Sequence, residues 1–146
     1  MRVCMENNNL NPFLIVNADK DFNKALNNLC NSAPKFGFNV VHIHNMKDTF
    51  KRNGIEFDND YCIVELCSPE KAFTALSLDL KLGNMMPKHI IVFKDKDNQN
   101  KYMMMKADPT KLSKLFSDIN IGEISNSVMQ SMEKLMIFAK GNNNEL

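Results

Sequence analysis

His89-Ile90-Ile91-Val92-Phe93, the polar stretch from Asp95 to Asn100, and then Tyr102-Met103-Met104-Met105-Lys106 decide the fold of this chain. The first run is short, apolar and rich in β-branched and aromatic residues, which is the pattern of a strand. The polar stretch turns the chain, and the second run brings it back beside the first. The pair reads as a hairpin whose loop is longer than a two-residue turn. Hairpin strands are antiparallel. A sheet that contains this pair is therefore mixed or largely antiparallel, not doubly wound.

Upstream of the hairpin, Tyr61 to Leu66 reads as another strand, and Ser68-Pro69 opens a helix. Serine is a favoured N-cap, and proline suits the first helical position. Phe73, Leu76 and Leu80, with Ala72, mark that helix's apolar face before Gly83 and Pro87. Further back, Phe38 to His44 is a strand by its β-branched content. Strict alternation places Phe38, Val40, His42 and His44 on one face and Asn39, Val41 and Ile43 on the other. A brief helix through Met46 and Phe50 follows and stops at Asn53-Gly54. Near the start, Pro12 to Val16 gives a first strand. Phe22, Ala25, Leu26, Leu29, Cys30 and Ala33 then recur at helical spacing, ending before Pro34 and Gly37.

Downstream, Asp108-Pro109 caps a short helix through Leu112, Leu115 and Phe116. Ile124, Val128, Met132, Leu135, Met136 and Ala139 define a long amphipathic one. Its stripe suits either the chain's own core or a partner subunit. The order β-α-β-α-β-α-β-β-α-α predicts an α+β chain. The expectation is a single two-layer domain over residues 1–146, with one mixed or largely antiparallel sheet of about five strands and helices packed on it. Its core spans 12–140. The ends, 1–10 and 141–146, hold asparagine runs and are expected to be flexible.

Composition narrows the function by exclusion. The 146 residues are 44% hydrophobic and 24% charged, ordinary for a globular chain. A formal charge of +1 leaves no long-range field to steer nucleic acid or anionic lipid, so neither partner is expected. No apolar stretch nears the roughly 20 residues of a membrane span. Met1 to Glu6 has no apolar segment of the kind that opens a signal peptide, which predicts a cytoplasmic chain. In that compartment Cys4, Cys30, Cys62 and Cys67 are expected to be reduced. The 11 methionines are read as core filling, not as a soft-metal site.

Two places carry candidate chemistry. Cys67 lies between a strand end and a helix start, beside Ser68 and Pro69. A helix N-terminus offers free N–H groups and partial positive charge, which suit a thiolate or a bound anion. Glu65 and Lys88 join this candidate small-molecule or anion site, and Glu65, Lys88 and His89 are the available acid–base groups. Cys62 and Cys67 are five apart, so strand alternation sends them to opposite faces and opposes a shared metal or disulfide. The second place is His42 and His44, whose spacing on a strand suits joint ligation of a metal ion. A third ligand is still needed, with Glu65, His89 or Cys67 as candidates. The sequence has no GxSxG elbow, HExxH, Walker loop or GxGxxG motif, and it implies no cofactor.

Several features in order resemble the family known as domain of unknown function 302. They are Gly37-Phe38, Gly54-Ile55-Glu56-Phe57, and Tyr61 leading to Cys67-Ser68-Pro69. Ala72 and Ala75-Leu76 follow, then Leu82-Gly83 with Met86-Pro87, and last Asp108-Pro109. The resemblance covers roughly residues 12 to 116. It implies a small two-layer α/β fold that tends to form homodimers, and no particular activity. Two positions depart from the family pattern, which often has asparagine where Ser68 stands and cysteine where Lys88 stands. Family chemistry that needs both cysteines is thereby put in doubt.

The leading expectation is a non-enzymatic, homodimeric ligand-binding or accessory module. A thiol-dependent sulfur or redox role for Cys67 is the first alternative, and metal binding through His42 and His44 the second.

Overall fold

The computed structural model of the chain describes residues 13–18, 21–95, 102–107 and 122–141. Five strands run in the order β1 (Phe13–Ala18), β2 (Asn39–Asn45), β3 (Tyr61–Cys67), β4 (Lys88–Lys94) and β5 (Tyr102–Ala107). The helices are α1 (Phe22–Ser32), α2 (Met46–Arg52), α3 (Pro69–Leu78) and α4 (Gly122–Ala139), with 3-10 segments at Ala33–Phe36 and Leu80–Met85. The short helix expected after Asp108-Pro109 lies outside the described residues.

The sheet order is β1-β5-β4-β3-β2, and each of its pairings is antiparallel. The hairpin that decided the reading is β4–β5, with Ile91 opposite Met105 and Val92 opposite Met104. The protein is thus α+β with helices and an antiparallel sheet. Alternation along the strands sends Val16, Ala18, Cys62, Val64, Leu66, Ile90, Val92 and Met104 to one face, where all are buried. Against that face pack Ala25 and Leu29 of α1 and Val128, Met132, Leu135, Met136 and Ala139 of α4. Fully burying one aliphatic side chain of this size contributes about 1.5–3 kcal/mol. The stripe of α4 therefore serves the chain's own core, which answers the alternative left open for it.

The caps follow local chemistry. Asp21 Oδ1 accepts from Lys24 N at 2.9 Å to open α1, and Asn45 Oδ1 accepts from Asp48 N at 3.2 Å to open α2. Gly37 (φ 82°) and Gly54 (φ 70°) end the preceding helical segments in the left-handed region, where a side chain is disfavoured.

Two expectations need correction. Phe38 and Val40 do not share a face with His42 and His44. Val40 pairs with Leu66 but His42 pairs with Glu65, so Val41 is an extra residue in β2. Such a bulge reverses the alternation beyond it. Phe38 is buried in the core, whereas His42 and His44 lie on the opposite face of the sheet with Glu65. There His42 is exposed, and the His44 side chain is 40% exposed.

The second correction concerns α3. Its buried face is not Phe73, Leu76 and Leu80 but the neighbouring strip of small residues. Ala75 is buried and Ala72 half-buried, while Phe73 is 75% and Leu80 81% exposed. The helix meets the 3-10 segment Leu80–Met85 and α4, not the broad face of the sheet.

Candidate functional site

A cavity of about 70 Å³ lies where β3 ends and α3 begins. Its floor is Leu66 and Phe38, both buried, and one rim is Cys67 and Ser68. Lys71, Ala72 and Ala75 of α3 form a wall, Leu82, Met85, Met86 and Pro87 a second, and Ile124 and Val128 of α4 a third. Lys88, the first residue of β4, completes it. Ala72 and Ala75 give the α3 wall small side chains. The volume is about half that of an apolar cavity of about 150 Å³ able to take benzene.

Its polar groups are few. Lys71 Nζ donates to Ser127 O at 3.3 Å and Ser131 Oγ at 3.1 Å, tying α3 to α4. Burial lowers the Lys71 pKa, partly countered by Glu70. Lys88 differs. It has no hydrogen-bond or ion-pair partner among the described residues, and burial pushes its ammonium below the ordinary lysine pKa. Ser68 occupies the N-cap of α3, with its carbonyl accepting from Ala72 N at 2.9 Å. Its hydroxyl, however, makes no capping bond. The rim thus has a hydroxyl with no partner among the described residues, the half-buried Cys67 thiol and the first turn of α3.

A second polar group lies on the other face of the sheet. His44 Nε2 donates to Glu65 Oε1 at 3.0 Å, and His89 Nε2 lies 3.6 Å from the same oxygen. The carboxylate bridges β2 and β4 from the strand between them. The His44 hydrogen bond is the chief reason the Glu65 pKa is lowered; desolvation opposes it, and smaller contributions from His44 and His89 add to the lowering. The His42 and His44 rings meet edge to face with centroids 4.3 Å apart. Among the described residues, no group of three or more His, Cys, Asp and Glu side chains is arranged to hold a metal ion. Here the imidazoles face the carboxylate and each other.

The structure therefore gathers Cys67, Ser68 and Lys88 of the predicted site. Pro69 starts α3 without lining the cavity, and Glu65 points away from it to join His44 and His89. Sequence reasoning missed Lys71, the Ala72/Ala75 wall and the Ile124/Val128 contribution from α4. The one available signal was the pair of alanines at i, i+3 running alongside the larger apolar stripe. The other described cysteines are unsuited to surface chemistry. Cys62 is buried and its thiol pushed up to about 11, by burial first and then by Asp48, Cys30 and Asp60. Burial also raises Cys30.

A family model described as domain of unknown function DUF302 matches residues 14–139. The chain belongs to this family. A similar solved structure is the crystal structure of an uncharacterized conserved DUF302 protein from Bacillus stearothermophilus. The two share 20% identity, with a TM-score of 0.81 over 88% of this chain and 98% of that one. At that identity the likeness is one of fold. No curated protein matches. Nor is any helix of this DUF302 protein, among the described residues, long and apolar enough to cross a membrane.

Proposed function

We propose that this DUF302 chain is a cytosolic, non-enzymatic binding module that works as a homodimer and holds a small molecule in the cavity beside Cys67 and Ser68. One observation carries the reading: an apolar cavity whose rim collects a hydroxyl that makes no capping bond, a thiol and a lysine with no partner among the described residues. Apolar walls with a few convergent polar groups are the usual make-up of a small-molecule site. Binding is favoured over acid–base catalysis because Glu65, His44 and His89 are spent on one another, on the face of the sheet away from the cavity.

Support for self-association comes from Phe73, Leu76 and Leu80, which leave a row of apolar side chains on the surface. Such a row suits a self-complementary contact. Native mass spectrometry of the intact chain at micromolar concentration tests the proposal. The expected spectrum is a dimer mass with a small-molecule adduct that collisional activation releases, and the dimer is lost in Phe73→Glu/Leu80→Glu. A bare monomer from the unaltered chain contradicts it.

A further inference from the structure

Lys88 stands where a lysine does not belong. It pairs directly with Leu66 across the β3–β4 ladder, and cross-strand partners project to the same face. Ile90, two residues on, projects there too. Leu66 and Ile90 are both fully buried. Lysine is almost never fully buried unless it is paired, and at this position Lys88 is half-buried. Here the stem rises on the core-facing side, lines the cavity and meets no acid or carbonyl among the described residues. The walls beside it, Leu66, Leu82, Met86, Ile124 and Val128, offer no polar side chain. The other lysine of the cavity, Lys71, is already engaged by Ser127 and Ser131.

The opposing account is that the ammonium simply reaches past the apolar wall to solvent while its stem packs against Leu66. That account predicts indifference to the charge of whatever fills the cavity. A cation that lacks a partner inside an apolar space predicts the reverse.

We infer that the cavity takes a small organic monoanion, a carboxylate on a short hydrocarbon body, with the carboxylate on the Lys88 ammonium and the hydrocarbon against Leu82, Ile124 and Val128. One lysine with no partner among the described residues balances one negative charge, whereas a phosphate carries nearly two and seeks more donors. At about 30 Å³ per carbon, comparable to a water molecule, the cavity of about 70 Å³ admits a hydrocarbon body of about two to three carbons. This inference rests on the binding-module reading and names the ligand class for its site.

Sodium butanoate and butan-1-ol, titrated separately into the full chain at pH 7, make a matched pair of probes. Methyl NMR follows Leu82, Ile124 and Val128. Butanoate is expected to shift these methyls saturably and to bind at least about tenfold more tightly than the alcohol, as a charge-assisted hydrogen bond requires. Lys88→Met should lose about that factor for butanoate and none for butan-1-ol, while Lys88→Arg retains most of it. Equal affinity of the two probes, or undiminished butanoate binding in folded Lys88→Met, overturns the anion inference and leaves a plain apolar site. If neither probe moves any of the three methyls, the binding-site reading falls as well.

Discussion

At the scale of single residues, Lys88 departs furthest from what the fold alone requires. Its pKa is lowered from 10.5 by burial, so between its folded value and 10.5 the unfolded chain holds more proton than the folded one. Stability from this group therefore rises with pH across that window. The cost is fully present at neutral pH and is relieved above 10.5. Lys88→Met should raise the Tm at pH 7 by roughly 1–4 °C, with the difference shrinking toward pH 10. A Tm that falls at pH 7, or a difference that grows with pH, contradicts the account. Part of the site was readable at this scale. Cys67 and Ser68 were marked by the strand-to-helix junction, and Lys88 by its departure from the family pattern. Glu65 was misplaced because its neighbour Leu66, one residue on, is the one that faces the cavity. One step along a strand changes sides.

At the scale of elements, periodicity located the strands and helices but not the irregularities that aim their side chains. Val40-Val41-His42-Ile43-His44 reads as unbroken alternation, and nothing in those five residues shows that Val41 is extra. The bulge is fixed by pairing with β3, which is a tertiary fact. The α3 region carries two apolar stripes, one large (Phe73 and Leu76 of the helix, with Leu80 at the start of the 3-10 segment) and one small (Ala72, Ala75). Hydrophobicity favours the first, but the crowded junction with Leu82 and α4 accommodates the second. Ser68 shows the same limit: its position as N-cap was legible, and the idleness of its hydroxyl was not. An N-cap serine is typically worth about 1 kcal/mol. Because this one makes no capping bond, Ser68→Ala should cost less than about 0.5 kcal/mol by urea unfolding. A loss of a full kilocalorie or more would mean that the hydroxyl caps α3 after all.

For the molecule as a whole, an antiparallel sheet with α1 and α4 over one face leaves the end of β3 as the place where layers meet imperfectly. The cavity is the residue of that imperfection, and Lys88, which has no partner among the described residues, opens onto it. The β4–β5 hairpin and the amphipathic spacing of α4 made the architecture legible, because both are periodic and local. The cavity was not legible, since it takes four separated segments to enclose it. The account stands or falls on that space being a binding site. A crystal structure of the full chain grown with sodium butanoate tests this most directly. The account predicts density for the anion between Leu82, Ile124 and Val128, with a carboxylate oxygen about 2.7–2.9 Å from Lys88 Nζ. A cavity closed by its own side chains, or butanoate bound only elsewhere, would contradict it.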